Sequence, residues 1–367
     1  MKVSFPYMGT PIGYKKLLTL LGHQIIDPPK PTQRTIDLGA KYSPEFACFP
    51  MKVLLGTYIE AIEMGADTLV SSGGHGPCRA GFYGEVQEKI LRSLGYQAEV
   101  IIFDSFKQDF WGFVKKVKKI KGKSSWRDVW HALKLSYRTL KILDSLEKQI
   151  QTVRAYEVNK GQSNMTWERI EKMLDQALTE EELTRAAKAG QQMIDAIEIY
   201  QVPEKQKVRI GIVGEIYVVM ESSVNMRVEQ KLGDLGCEVR RAHYLSEWVD
   251  YNLIPHRFSK PHELEIIRKG EKYIELCIGG HARENMGYVV DYKEQGFDGI
   301  VHLMPFGCLP ELISQSILPK MAKELDIPIL TLSLDEQTGR ANNLTRLEAF
   351  VDLIRAKKNS TKFKHVS

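Results

Sequence analysis

The feature that most constrains the fold is an alternation of strands and helices that occurs twice along the chain. In the first hundred residues amphipathic stretches separate four short apolar runs typical of buried strands, KVSFPYMG, HQIIDPP, DTLVSS and QAEVIIFD. The alternation resumes at Lys207, where the predicted strands are VRIGIVGEIY, CEVRRAHY, FDGIVHLMP and IPILTLSLD. A repeated strand, helix, strand order favours a parallel sheet covered on both faces. The sequence therefore predicts an α/β protein with two doubly wound, flavodoxin-like or Rossmann-like lobes.

The segment between the two alternating regions carries only helical patterns. DVWHALKLSYRTLKILDSLEKQIQTVRAYEV is a long amphipathic stretch, and TWERIEKMLDQAL follows with Thr166 as its expected N-cap. We divide the chain into an N-terminal lobe over 1–105, a helical segment over 106–206 and a C-terminal lobe over 207–367. Ligands of doubly wound sheets bind at the carboxyl ends of the strands, so the expected site is the cleft between the lobes.

Composition excludes several classes of protein. Among 367 residues, 43% are hydrophobic and 26% charged, as in soluble globular proteins. No apolar run approaches the roughly 20 residues of a spanning helix, and the N-terminus has no signal-peptide pattern. We therefore expect a cytoplasmic protein with no membrane partner.

The net charge of +5 is unevenly distributed, with lysines concentrated near 107–128 in KQDFWGFVKKVKKIKGKSSWRD. Such a run is typical of a solvated helix face, and docking of a partner or a phosphate-bearing ligand is the alternative. No recognition motif accompanies the charge, so nucleic acid is not an expected partner.

Three of the five cysteines lie in contexts that favour a chemical role. Cys48 and Cys308 are each followed two residues later by proline and then by a helical pattern, which places both sulfurs at helix N-termini. The dipole and the free N–H groups there favour a thiolate. Cys78 lies in the glycine-rich loop SSGGHGPCRAGFYG, directly after a predicted strand. Three thiolates brought to one cleft would bind a soft metal or a cluster, although a cysteine taken alone is more often a small buried hydrophobe.

Other roles are less favoured for the three cysteines, and the remaining two are expected in the core. An odd number without an export signal argues against disulfides. Structural zinc usually takes close C-x₂-C pairs, and the chain has none, although zinc stays the rival metal. Cys237 opens a predicted strand and Cys277 shares a predicted helix face with Ile274, so we expect both in the core.

Four further residues are candidates for the site. His75, three residues before Cys78, is a weak candidate for a fourth ligand, and otherwise a surface or hydrogen-bonding residue. Arg79 would stabilise negative charge on a reduced centre or form a salt bridge. Glu215 ends a predicted strand at the cleft edge, where it would bind substrate or contact the other lobe. His302 lies inside an apolar strand and is expected to be a satisfied core histidine.

The chain resembles the iron–sulfur cluster subunits of the 2-hydroxyacyl-CoA dehydratase and benzoyl-CoA reductase family. Within that family it is most similar to the stand-alone proteins described as acyl-CoA dehydratase activase-related or CoA protein activase proteins. The resemblance rests on CFPMKVLLG, SSGGHGPCRAGFYG, IGIVGEIY and HLMPFGCLPELISQSILPKMAKELDIPILTLSLDEQTG, so it covers both α/β halves.

The resemblance implies a [4Fe–4S] cluster between the lobes, with Cys48, Cys78 and Cys308 matching the family's ligand motifs. It also implies an acyl-CoA substrate that is dehydrated or reduced by low-potential one-electron chemistry, a separate ATP-dependent activator that is itself an iron–sulfur protein, and a homo- or heterodimer. Five cysteines, two of them expected in the core, argue against a double-cubane cluster. Two alternatives stay open: an electron relay or maturation factor for such a dehydratase, and a zinc-bound or metal-free two-lobe ligand-binding protein.

Overall fold

Two parallel four-stranded sheets form the framework of the chain. The computed structural model describes residues 1–73, 78–103, 109–254, 261–337 and 339–364. The strands are β1 Lys2–Ser4, β2 Gln24–Ile25, β3 Thr68–Ser72 and β4 Glu99–Phe103 in the first sheet, and β5 Val208–Gly214, β6 Cys237–Arg241, β7 Gly299–Pro305 and β8 Ile329–Leu334 in the second. The strand orders are β2-β1-β3-β4 and β6-β5-β7-β8. When the strands are numbered separately within each sheet, both orders become 2-1-3-4. The two predicted doubly wound lobes are confirmed, and they share one topology.

Helices cover both sheets and fill the segment between them. Those in the described ranges are α1 Ile12–Leu20, α2 Gln33–Tyr42, α3 Phe49–Glu63, α4 Tyr83–Ser93, α5 Phe110–Lys121, α6 Trp126–Val153, α7 Gln162–Gln176, α8 Glu180–Asp195, α9 Ile216–Met220, α10 Val228–Asp234, α11 Leu245–Asn252, α12 Glu263–Glu271, α13 Ala282–Glu294, α14 Leu309–Glu324 and α15 Arg340–Lys364. Within these ranges no helix has both the length and the apolar character that crossing a membrane requires.

Helix α6 is the longest element between the lobes and contacts both of them. It starts with a capping box, in which the Ser125 hydroxyl accepts the Asp128 N–H (3.2 Å) and the Asp128 carboxylate accepts the Ser125 N–H (2.8 Å). Its sides pack against α1 of the first lobe and β6 of the second. The helical segment is thus attached to both lobes.

Helix α3 is shared between the cores of the two lobes. Its first turns place Phe49 and Val53 in the buried cluster of the second lobe, beside Leu303. Its later turns place Leu55 and Tyr58 in the core of the first lobe. Each fully buried side chain of this size contributes about 1.5–3 kcal/mol. The start of α3, where Cys48 lies, is therefore fixed relative to both sheets.

Two expectations from sequence are wrong in this part of the chain. Helix α7 begins after Gly161, whose φ of +90° suits glycine, so Thr166 is a buried residue inside the helix and not its N-cap. Helix α12 ends at Glu271, so Cys277 lies beyond it and is exposed. The apolar spacing around Cys277 therefore belongs to a loop and not to a helix face.

Candidate functional site

Each of the three predicted cysteines is the N-cap residue of a helical turn. Cys48 precedes α3 and Cys308 precedes α14, and proline follows at the second helical position in both helices. Cys78 precedes a 3₁₀ turn over Arg79–Phe82. Because Cys78 follows β3 and Cys308 follows β7, these two occupy equivalent positions, after the third strand of each lobe. The N-cap positions of Cys48 and Cys308 and the loop position of Cys78 agree with the sequence patterns.

The segments that carry Cys48 and Cys308 meet directly. Both cysteines are buried and belong to one apolar cluster with Met51. The Phe49 N–H donates to the Phe306 carbonyl (3.3 Å), a hydrogen bond that joins the start of α3 to the loop before α14. Sulfurs from the two lobes are thus brought to one place.

Two glycines allow the backbone to pass close to the segments that carry Cys48, Cys78 and Cys308. Gly280 has a φ of +59°, and a Cβ there would lie 2.7 Å from Pro310 and 4.0 Å from the Cys78 sulfur. Gly307 has a φ of +75°, and a Cβ there would lie 3.5 Å from the Cys48 Cα. Both conformations favour glycine. Cys78 therefore lies near the start of α14, the helix that Cys308 precedes.

Arg79 connects the three cysteine segments. Its guanidinium donates to the carbonyl of Phe46 (2.9 Å) and to the carbonyl of Gly307. These two acceptors lie on the segments that carry Cys48 and Cys308, while Arg79 itself follows the third cysteine. We expected Arg79 to stabilise negative charge or to form a salt bridge, and its two hydrogen bonds to backbone carbonyls are consistent instead with a positioning role.

Tyr83 is a site residue that the sequence analysis missed. Its hydroxyl is within hydrogen-bonding distance of the Cys48 sulfur, and its ring packs against the cluster of Cys48 and Cys308. Tyr83 starts α4, five residues after Cys78 in the quoted glycine-rich loop. Its place in that loop was the only sequence signal, because its contact with Cys48 is a long-range one.

Burial controls the protonation of the free thiols. It raises the pKa of the Cys48 thiol to about 11, and it raises the pKa values of Cys78 and Cys308 as well. Backbone N–H groups at the helix starts lower these pKa values by less than burial raises them. In the free thiols, burial therefore acts against the thiolate form that the helix N-termini favour.

Glu215 follows β5 directly, and its charge acts on all three cysteine thiols. Its carboxylate accepts the Val218 N–H (3.1 Å), so it caps α9. Burial raises the pKa of Glu215 to about 7. Burial first, and the charge of Glu215 as a smaller cause, also raise the pKa of Cys78. The structure thus gives Glu215 a cap role and places its carboxyl beside the cysteine site.

A buried polar network supports the first turn of α14. The His302 Nε2 lies 2.8 Å from the Glu311 carboxylate, and its Nδ1 lies 3.2 Å from the Thr331 hydroxyl. The Asn285 amide donates to both Glu311 oxygens (3.0 Å each) and accepts the Gly214 N–H (3.0 Å). His302 is therefore the satisfied core histidine that we expected.

Two residues singled out from the sequence remain. His75 lies outside the residues that the structure describes. Cys237 is buried at the start of β6, as expected.

Comparison with known proteins identifies the family. The family model described as 2-hydroxyglutaryl-CoA dehydratase, D-component, matches residues 26–354 of the 367. The chain belongs to this family. A search of curated proteins gave no match. Membership in the dehydratase family supports a subunit of the 2-hydroxyacyl-CoA dehydratase type, and it agrees with the resemblance drawn from the cysteine motifs.

The three cysteines of the site fit an iron–sulfur cluster better than a single metal ion. In the described part of the chain, no three His, Cys, Asp or Glu side chains are grouped so that they could hold one metal ion. An iron–sulfur cluster is larger than an ion and takes its cysteine thiolates at separate corners. The three thiols, of which Cys48 and Cys308 are buried and Cys78 is half-buried, suit such a group.

Proposed function

We propose that Cys48, Cys78 and Cys308 hold a [4Fe–4S] cluster between the lobes, and that the protein uses it for one-electron chemistry on an acyl-CoA thioester. The reaction would be a dehydration of 2-hydroxyacyl-CoA type or a reduction. The observation that carries the proposal is the approach of three cysteine segments from both lobes to one buried place. Family membership supports the reaction class.

When bound, the cluster would supply a low-potential electron and an iron able to act as a Lewis acid. The chain's own residues would hold and shield it. Arg79 keeps the three segments in register through two backbone carbonyls. Tyr83 offers a hydrogen bond to the Cys48 sulfur. Glu215, whose charge acts on the three cysteines, would offer a carboxyl for a hydrogen bond to the substrate.

The electron would come from a separate protein. The sequence has no G-x-x-x-x-G-K-[ST] loop, so we expect no ATP hydrolysis by this chain. An ATP-dependent iron–sulfur activator is the proposed partner.

Anaerobic purification tests the cluster. We expect iron and acid-labile sulfide in equal amounts, with an electron paramagnetic resonance signal after reduction. Replacing Cys48, Cys78 or Cys308 by serine should remove most of the iron. The matched control is Cys277→Ser, because Cys277 is the exposed cysteine and its change leaves the core intact. Zinc in place of iron, or full iron content in Cys48→Ser, would contradict the proposal.

A second experiment tests the reaction. With a reductant and an ATP-dependent activator, the loaded protein should convert a 2-hydroxyacyl-CoA to the enoyl-CoA. Loss of the cluster signal in Cys78→Ser should abolish turnover, and Cys277→Ser should keep it. A loaded protein that accepts electrons but turns over no acyl-CoA would instead indicate an electron relay.

A further inference from the structure

Helix α5 and the first turns of α6 form a surface that contains no residue of the cysteine site. Residues 109–134 contain eight lysines and arginines and two aspartates, which gives this stretch a charge of +6. The whole chain carries +5, so the other residues sum to −1. Three of the chain's five tryptophans lie in the same stretch. Basic and aromatic residues are thus concentrated together.

Four large aromatic side chains of this stretch are exposed to solvent, whereas Phe113 packs against Phe103. Trp111 is 79% exposed, Trp130 70%, Trp126 58% and Phe110 56%. Trp126 and Trp130 are four residues apart on α6 and so share one face. The Lys121 Nζ lies 5.6 Å from the centroid of the Trp126 ring, which joins the end of α5 to the start of α6. We call these aromatic residues, with the exposed lysines between them, the α5–α6 surface.

Several lysines of the α5–α6 surface are available to a ligand. Lys115, Lys118 and Lys123 are exposed, and none of them forms an ion pair with another described residue. Lys119 differs, because it pairs with Glu99. Lys115 and Lys118 follow Trp111 at helical spacing, so α5 carries charge and an aromatic ring on one face.

We propose that the α5–α6 surface binds the face of an anionic lipid bilayer, with the tryptophans at the headgroup level and the lysines on the lipid phosphates. Exposed Trp and Phe interleaved with Lys are the side chains that interfacial helices use. Anionic lipid attracts basic segments near the membrane surface. This proposal goes beyond the proposed function, and it revises the expectation of no membrane partner, which rested on the lack of a spanning segment.

Other occupants fit the composition of the α5–α6 surface less well. Interfaces between proteins are enriched in arginine and depleted in lysine, whereas this stretch has seven lysines and one arginine. A second copy meeting the same surface would place +6 against +6. Single-stranded nucleic acid is bound along a groove, and α5 and α6 present the tryptophans on helix faces.

Vesicle binding of the full chain tests the proposal. The protein should sediment with vesicles of equal parts phosphatidylglycerol and phosphatidylcholine, and should not sediment with phosphatidylcholine alone. Added salt should weaken binding, since exposed charges are screened. Tryptophan emission should shift to the blue on binding. The variant Trp111→Ala/Trp130→Ala should bind at least about tenfold more weakly.

A charge-matched pair of variants gives the sharpest comparison. Lys115→Glu/Lys118→Glu/Lys123→Glu should lower the vesicle partition coefficient at least about 100-fold, because each lost positive charge costs about fivefold and the three new negative charges are repelled as well. The control variant is Lys160→Glu/Lys172→Glu/Lys188→Glu, which changes exposed lysines in the loop before α7, in α7 and in α8. The two triple variants therefore have the same net charge. This control should keep most of the binding.

Four results would overturn the proposal. The first is no sedimentation with the anionic vesicles, and the second is equal loss of binding in the control triple variant. The third is tighter binding of a single-stranded oligonucleotide than of vesicles. The fourth is a dimer that dissociates on Trp111→Ala/Trp130→Ala. Thermal melts of each variant check that the fold is kept.

Discussion

Replacing Arg79 by lysine should loosen the cysteine segments although Arg79 is exposed. The guanidinium bonds two carbonyls at once, those of Phe46 and Gly307, whereas an ammonium group is a point charge that lacks this planar fork. A hydrogen bond from a charged donor contributes about 1.5–3 kcal/mol. Because this donor is exposed, we discount the two bonds to about 1–2 kcal/mol in total. Local opening should then increase about 5- to 30-fold.

Alkylation of the thiols in the metal-free protein measures this opening. Cys48 and Cys308 are buried and react only when their segments open, while the exposed Cys277 reports the intrinsic reactivity within the same molecule. In Arg79→Lys the rates at Cys48 and Cys308 should increase 5- to 30-fold, as estimated from about 1–2 kcal/mol, and the rate at Cys277 should stay constant.

The control for this experiment is Arg92→Lys on α4, because Arg92 is also exposed and pairs only with its helix neighbour Glu88 among the described residues. It should leave all rates unchanged. Unchanged rates in Arg79→Lys, or an equal increase at Cys277, would refute the positioning role of Arg79.

Three further predictions address stability. Glu311→Ala leaves two buried partners without their acceptor and should lower the free energy of unfolding in urea by about 3–5 kcal/mol, whereas the exposed Glu324→Ala on the same helix should stay within about 1 kcal/mol. Burial raises the pKa of Glu171 from 4.5 to about 7, so the native state holds this proton more tightly than the unfolded state. The free energy of unfolding of the wild type should therefore fall by about 2–3 kcal/mol as the pH rises from 4.5 to about 7. Thermal melts of Glu171→Gln should not show this pH-dependent loss. Gly280→Ala combines a positive φ with a contact of 2.7 Å to Pro310, so it should cost about 1–3 kcal/mol in urea unfolding and speed the alkylation of Cys78; equal alkylation rates would contradict the close approach.

The strands could be predicted from sequence because most are short runs with buried apolar residues, as in β7, which is buried throughout, although β2 is exposed or half-buried. All eight were found this way. The start of α7 could not be predicted, because the helix begins after Gly161, which has a left-handed conformation. Thr166 is a residue type that often caps helices, but it lies inside this helix. Helix α2 was missed as well, since its capping box pairs Thr32 with Thr35 and has no acidic residue to mark it.

The site could be predicted only as far as local sequence reaches. The Cys-x-Pro pattern predicted the N-cap positions of Cys48 and Cys308, because proline at the start of a helix is a local preference. The roles of Arg79 and Tyr83 depend on acceptors more than 30 residues away in sequence, as the Arg79 bond to Phe46 illustrates. No local pattern encodes such contacts.

The shared helix α3 determines how the thiols become accessible. Separation of the lobes would expose Phe49 and Val53, which are buried in the core of the second lobe, at about 1.5–3 kcal/mol for each side chain. Opening of the loops alone would cost the two Arg79 bonds and the bond from Phe49 to Phe306, and would leave that core intact. Local opening is therefore the less costly route. A change at Arg79 should accordingly act on the thiols without a matching loss of global stability.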